Sequence, residues 1–329
     1  MTKTTRTQLG STGPSVFPLA LGCMAMSKMY GPADEAESIA TIHMALERGV
    51  DLLDTGDFYG IGHNELLIGR ALKDRRDQAL LSVKFGALRG PDGGWLGFDT
   101  RPVAVKNALA HTLTRLGVDH IDIYRPGRLD PAVPIEDTIG AIAELVKAGY
   151  VRHIGLSEVG PETIRRAAKV HPIVDLQIEY SLISRGPEAK IFPVLDELGI
   201  GVTAYGVLSR GLLTGSRPTG PGDFRAYLPR FAGAAGEQNA HLADTLATLA
   251  KARGTTAAQL AFAWARAKRP SLVPLIGART RAQLADSLGA VDLRLSADEI
   301  AALEAAIHPD AAAGTRYAAQ QMASLDSER

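Results

Sequence analysis

The chain has 329 residues, and its 36 Lys+Arg balance 36 Asp+Glu, so the formal net charge is zero. That balance excludes the basic excess expected of a nucleic-acid or anionic-membrane partner. The lone cysteine, Cys23, excludes an internal disulfide and a cysteine-based metal cluster, which suits a reducing compartment. The polar N-terminus, Met1 to Gly10, lacks the apolar core of a signal peptide. No apolar run approaches the ~18 residues of a membrane-spanning helix. These features predict a cytoplasmic protein.

In chain order, short apolar runs near Leu19–Leu21, Leu52–Asp54, Leu80–Lys84, Ile121–Tyr124, His153–Leu156, Val174–Gln177, Val202–Tyr205 and Leu272–Leu275 read as strands. Their continuous apolar character is that of buried parallel strands. Amphipathic stretches fill the gaps, and several end alike: Glu47-Arg48-Gly49-Val50, Arg115-Leu116-Gly117-Val118, Lys147-Ala148-Gly149-Tyr150 and Glu197-Leu198-Gly199-Ile200. Glycine just past a helix supplies the left-handed residue that ends it. Thr100 is expected to cap the helix that runs to Leu116, and Pro161 to sit in the first turn of another. Gln238–Arg253 adds an extra helix to one unit, and Ser296-x-x-Glu299 reads as a capping box opening a helix after the last strand.

Strand–helix alternation repeated eight times predicts an α/β fold, a single closed (β/α)8 TIM barrel with extra helices and long loops at its C-terminal face. An open doubly wound sheet is the rival, but the G-x-G-x-x-G turn usual after its first strand is missing. The Pro/Gly-rich stretches Phe85–Thr100 and Thr214–Gly236 follow strands, which places them on the functional face. The expected organisation is one domain over 1–329, with a core at about 7–306 and a C-terminal tail at 307–329.

Chemistry in a barrel collects at the C-terminal strand ends. Asp54, Tyr59 just beyond it, and Lys84 fall there. A lysine ending an apolar strand is costly to bury alone, and Asp54 on a neighbouring strand would offset that. An ammonium nearby is expected to lower the tyrosine pKa from ~10 toward neutrality, giving a group that can donate a proton to a carbonyl or take one from an alcohol. The same residues are equally compatible with a structural ion pair beside a loop aromatic.

The stretches Asp51–Gly69, Ser82–Gly86, Val151–Glu158, Gln177–Ser181, Val202–Gly215 and Pro274–Leu288 together resemble the aldo-keto reductases. The resemblance runs from near residue 7 to near 306 and is closest to the bacterial branch that includes the potassium-channel β-subunit type. It implies a barrel that moves hydride between NADP(H) and a small-molecule carbonyl or alcohol. It implies Tyr59 as general acid/base, tuned by Lys84 and Asp54. Gly22, Met24 and Asp54 match positions beneath the nicotinamide ribose, and Ser157, Glu158 and Gln177 the carboxamide region. Tyr205 matches the aromatic that stacks on the nicotinamide.

Gly206-Val207-Leu208-Ser209-Arg210-Gly211 resembles the pyrophosphate loop, with Gly206 and Val207 departing from the usual serine and proline. Such a loop offers backbone N–H groups and an arginine to a diphosphate. The stretch from Gly277 resembles the adenosine end: Arg279 matches the 2′-phosphate position, Gln283 the same region and Asp286 the adenine amine. Ser287 stands where asparagine is usual. The pair Arg279 and Arg281 favours NADP over NAD, while Thr280-x-x-Gln283 is also a capping box.

One departure concerns catalysis. The family's carbonyl-orienting histidine falls on Gly127, with Arg125 and Arg128 as candidate substitutes. His63 and Trp95 are further candidates for the pocket lining. No histidine set has metal-ligand spacing, so no metal is expected. The departure at Gly127 keeps open a cofactor-binding sensor or regulatory subunit with weak turnover. A Schiff-base aldolase with Lys84 as nucleophile would leave Asp54, Tyr59 and both cofactor segments unused.

Overall fold

In the computed structural model, residues 5–220 and 222–329 are described. Eight parallel strands close into a barrel: β1 (Ala20–Gly22), β2 (Leu52–Gly56), β3 (Leu80–Phe85), β4 (Ile121–Pro126), β5 (Val151–Ser157), β6 (Ile173–Glu179), β7 (Gly201–Tyr205) and β8 (Leu272–Gly277). Each strand pairs with its sequence neighbours, and β8 closes on β1. All eight expected strands are present. The fold is therefore a (β/α)8 TIM barrel, with helices in the connections. Unit seven carries two helices, Gly233–Ala252 and Ala257–Lys268, and the first contains the expected extra segment.

The helix ends follow their sequence signals closely. Gly117 and Gly199 close their helices at φ 68° and 66°, and Gly49 and Gly149 are left-handed too. Pro161 opens its helix, and Ser296 with Glu299 forms a complete capping box. Thr100 does not cap. The helix Pro102–Leu116 starts from Arg101 with no side-chain cap, because Pro102 takes the first position and shifts the boundary. Thr100 is instead buried against Thr138, whose hydroxyl donates to the Thr100 carbonyl at 3.0 Å. Thr280 caps its helix through the Gln283 N–H, but the Gln283 side chain accepts from the Arg279 N–H rather than returning to Thr280.

Strand alternation divides the core into two layers. Leu53, Leu81, Val83, Tyr124, Leu156, Leu176, Val202 and Ile276 face the helices and form the large outer cluster. Ala20, Leu52, Ile123, Val174, Val273 and Leu275 form a smaller inner cluster, closed off by Leu9 and Val16 from the antiparallel pair Thr7–Gln8/Ser15–Val16. Further along the same strands the buried residues turn polar: Asp54, Ser82, Lys84, Arg125, Asp175, Gln177 and Thr203. A period of two carries the inward columns of β2, β3 and β4 from apolar to charged: Leu52 to Asp54, Leu80 through Ser82 to Lys84, and Ile123 to Arg125. The polar end is the C-terminal mouth.

Two segments furnish that mouth. Phe85–Thr100, expected as a loop, contains an antiparallel hairpin, Ala87–Arg89 with Trp95–Phe98. Residues 309–329 form short helical turns that return to the barrel, where the Asp326 carboxylate accepts from the Gly160 N–H at 2.8 Å.

Candidate active site

Register explains how three distant residues meet. Asp54 on β2 pairs with Ser82 on β3, and Gly56 pairs with Lys84, so the Asp54 and Lys84 side chains rise from adjacent strands. Lys84 Nζ donates to Asp54 Oδ1 and, at 2.9 Å, to Gln177 Oε1. Asp54 Oδ2 accepts from Ser82 Oγ at 2.9 Å and from Gln177 Nε2 at 2.7 Å. The buried pair is thus hydrogen-bonded on all sides, the condition under which burial of two charges is tolerable. Tyr59 follows β2, is buried, and places its ring centroid 5.2 Å from Lys84 Nζ. Its hydroxyl has no hydrogen-bond partner among the described residues and lines a cavity of about 1070 Å³.

The Tyr59 phenol is not drawn toward neutrality. Burial, and then the Asp54 carboxylate, push it well above its usual value. Lys84 is already neutralised by Asp54, so little of its field is left to favour a phenolate. Burial pulls the Lys84 ammonium downward while Asp54 opposes the change. Tyr59 therefore holds its proton at neutral pH.

The cavity gathers nearly every residue singled out in the sequence. Gly22, Met24, Asp54, Tyr59, Lys84, Ser157, Gln177, Tyr205, Gly206, Leu208, Arg210, Gly211, Gly277, Arg279, Gln283 and Asp286 all line it. Ser209 does not: it is buried, and its hydroxyl lacks a partner.

A model of the aldo/keto reductase family matches residues 18–308. This chain belongs to the aldo/keto reductase family. It is 38% identical over 319 residues to a probable aldo-keto reductase 1 of Glycine max, covering 94% of this chain and 91% of that one. Among solved structures it is similar to the glycerol dehydrogenase of Gluconobacter oxydans (27% identity, TM-score 0.83, 94% and 98% of the two chains). It is also similar to an aldo-keto reductase of Bacillus halodurans in its holo form (29%, TM-score 0.77, 93% and 97%). It is accordingly an oxidoreductase that interconverts carbonyls and alcohols with a nicotinamide cofactor. No helix among the described residues is long and apolar enough to cross a membrane.

Within this aldo/keto reductase several expected contacts are rearranged. Glu158 is fully buried, in the left-handed region at φ 52°, and does not line the cavity. Its Oε1 accepts from Tyr205 Oη at 2.7 Å and Arg316 at 3.2 Å, and its Oε2 from Arg316 at 3.0 Å and Ser327 Oγ at 2.6 Å. Burial raises its pKa, but Arg316, helped by Arg128 and Ser327, outweighs that and brings it to about 2. Glu158 thus anchors the tail and the Tyr205 hydroxyl; its carboxylate is not offered to a carboxamide. Arg210 lines the cavity with its charge already paired to Glu179 at 2.8 Å. Arg281 is held by Glu37 at 2.8 Å and is not part of the lining, so Arg279 stands without it.

The departure at Gly127 is now concrete. Its N–H donates to the Phe85 carbonyl at 2.8 Å, and its φ is not positive. A Cβ there would lie 3.2 Å from the Phe58 ring and 3.3 Å from the Phe85 oxygen, so glycine serves a close approach. Arg125 is no substitute: it is fully buried inside the barrel, paired with Asp175 at 2.8 Å. Arg128 does line the cavity. His63 does not; it bonds Ser27 at 2.9 Å. Trp95 is half exposed on the hairpin at the cavity's edge, packed on Phe98. The tail was missed in the sequence: Tyr317 lines the cavity, and its hydroxyl lies 2.9 Å from that of Tyr205. Tyr317 and Arg316 are 112 and 158 positions from Tyr205 and Glu158, too far for any local pattern to signal the contact.

Proposed function

We propose that this chain is an NADP(H)-dependent reductase of aldehydes or ketones, working also in the alcohol-oxidising direction, with Tyr59 as its general acid/base. The observation that carries the reading is the Tyr59 hydroxyl. It is buried, protonated, without a partner among the described residues, and belongs to a residue lining a large cavity beside the Asp54–Lys84 pair.

The residues present fit a dinucleotide. The cavity runs from Tyr59 past Tyr205 and the Gly206–Gly211 backbone to Arg279, Gln283 and Asp286. Gly277 opens onto free space, with nothing within 4 Å of a built Cβ, so a ligand can approach its backbone closely. Arg279 has no ion pair among the described residues, its Nη1 meeting only the Tyr30 carbonyl at 2.8 Å. A guanidinium without a carboxylate suits a 2′-phosphate, which favours NADP(H) over NAD(H). Ser157 and the remaining N–H of Gln177 would hold the carboxamide, and the Tyr205 ring would cover the nicotinamide.

When bound, the dinucleotide supplies or accepts the hydride. Tyr59 donates its proton to the substrate's carbonyl oxygen during reduction and recovers it from the alcohol in reverse. A high phenol pKa suits the acid role, while Lys84, with its Nζ 5.2 Å from the centroid of the Tyr59 ring, packs against the phenol and holds its place. Asp54 and Gln177 fix Lys84 directly, Ser82 steadies Asp54, and Asp54 opposes the loss of the Lys84 charge.

Replacing Tyr59 by Phe tests this. The expected result is a fall in kcat of ~10²–10⁴-fold with NADPH affinity retained, since the proton is needed in the transition state and contributes little before it. A variant keeping more than about a tenth of wild-type kcat would show that another group supplies the proton.

A further inference from the structure

We infer that the substrate is an anionic carbonyl compound whose carboxylate or phosphate is held by Arg128. The inference rests on the reductase reading of the same cavity and adds the substrate's chemical class.

The observation is a missing partner. The more deeply set arginines around Arg128 each have a carboxylate: Arg125 has Asp175, Arg225 has Asp223, Arg210 and Arg230 have Glu179, and Arg316 has Glu158. Arg128 has none among the described residues. Its acceptors are all neutral: the Gly127 carbonyl at 2.6 Å, Ser157 Oγ at 3.5 Å and the Tyr317 hydroxyl at 3.2 Å, with the Tyr317 ring 5.8 Å from the guanidinium carbon. Its Nε–H has no acceptor among the described residues, and the side chain lines the cavity. A guanidinium partly stripped of water and left with neutral partners gains most from an added anion. Glu158 acts on Arg128 only from a distance, so the ligand supplies the direct carboxylate contact that no described residue makes.

Position separates this arginine from the cofactor's phosphates. Arg128 follows β4 beside Gly127 and lines the cavity together with Tyr59. Arg279 is attached to Tyr30 and the adenosine-end helix instead. The hairpin adds a second cation without an ion pair among the described residues, Arg89, its guanidinium carbon 5.2 Å from the Trp95 ring on the same cavity's edge. None of the cavity's carboxylates forms an ion pair with Arg128 or Arg89 among the described residues. Asp54 is paired with Lys84, Asp130 accepts from the Ala132 N–H, Asp286 from Gln259, and Asp326 from the Gly160 N–H. A planar fork of donors holds a carboxylate or phosphate in one orientation. That recovers by positioning what the histidine lost at Gly127 would have supplied at the carbonyl.

The test compares matched aldehydes by NADPH oxidation: succinic semialdehyde and 4-carboxybenzaldehyde against their methyl esters, and glyceraldehyde 3-phosphate against glyceraldehyde. Wild type is expected to favour one charged series by about 10–100-fold in kcat/KM, as charge-assisted bonds allow. The favoured series tells carboxylate from phosphate. Arg128→Gln should lose at least about tenfold more on the charged member than on the neutral one, chiefly through KM, and Arg128→Lys should recover part of it. Tyr317→Phe, which removes a neutral acceptor but no charge, should keep the preference. Equal kcat/KM for charged and neutral members in wild type overturns the inference. So does a loss of NADPH affinity in Arg128→Gln that accounts for the whole effect, since it assigns the guanidinium to the cofactor. If no aldehyde turns over, the reductase reading fails. Calorimetric binding of benzoate against benzamide then still decides for Arg128: preference for benzoate, abolished in Arg128→Gln, supports it, and equal binding overturns it.

Discussion

Arg316→Met removes a charge while keeping much of the side chain's bulk. In the native fold Arg316 bonds Glu158 at 3.0 and 3.2 Å, Glu179 at 3.3 Å and Glu328 at 2.5 Å. The carboxyl of Glu158 lies at about 2 against a usual 4.5. At about 1.4 kcal/mol per pKa unit that difference sets a scale of about 3 kcal/mol, close to the ~3–5 kcal/mol usual for stripping one partner from a buried pair. The sign follows from linkage. A depressed carboxylate stabilises the fold above pH 4.5, and that contribution fades as pH falls toward 2. The variant should therefore melt lower at pH 7, by on the order of 5 °C, and the gap should narrow as pH drops below 4.5. Opening need not be global, because a tail can detach alone. Chymotrypsin reports that separately, since its sites Tyr317 and Leu325 are buried. Rapid cleavage within the last twenty residues is expected in the variant and not in the wild type. An unchanged melting point together with unchanged protection would refute the reasoning that this arginine fastens the tail.

Asp57→Asn addresses a second, half-buried carboxyl. One of its oxygens is buried without a partner, and burial, then Glu65, push its pKa up to about 7. A raised carboxyl costs stability as pH climbs from its unfolded value of 3.8 through 7, up to about 4 kcal/mol. The amide should raise the melting point more at pH 8 than at pH 5, and equal shifts would remove Asp57 as the cause. Arg279→Ala should weaken NADPH by on the order of tenfold or more and NADH much less. Similar losses for both cofactors would place Arg279 away from the 2′-phosphate.

The barrel was legible because its signals are local. Apolar runs, glycine stops and one complete capping box each depend on a few neighbouring residues, and each recurs in the structure at its expected place. Asp54, Tyr59 and Lys84 were legible because strand ends are where a barrel displays side chains. The failures involve partners that only folding brings together. Arg281 reads as a phosphate ligand until Glu37, 244 positions away, claims it. Arg125 and Arg128 look alike in sequence, but strand alternation sends the first into the barrel, and the turn past Pro126 sends the second into the cavity. Thr100 failed as a cap because the proline two residues on set the start of the helix. The Ala87–Phe98 hairpin was hidden by glycines at 90, 93, 94 and 97, which blur the alternation a strand should show.

Arg125 lies beneath the chemistry, yet it is wired to it. Its Nη2 donates to Ser82 Oγ at 3.0 Å, and the same hydroxyl donates to Asp54 at 2.9 Å. Its Nη1 holds Asp175, which also accepts from Thr203 at 2.6 Å. Four staves of the barrel are thereby tied together directly below the carboxylate that steadies Lys84. An engineer retargeting this enzyme would ordinarily vary the rim loops and treat the interior as inert packing. Here the two layers cannot be diversified independently. A library that repacks the inside with hydrocarbons strips a donor from Ser82 and leaves Asp175 unmatched, so variants chosen for thermal robustness would arrive with an altered proton donor. Rim and interior have to be randomised as one block.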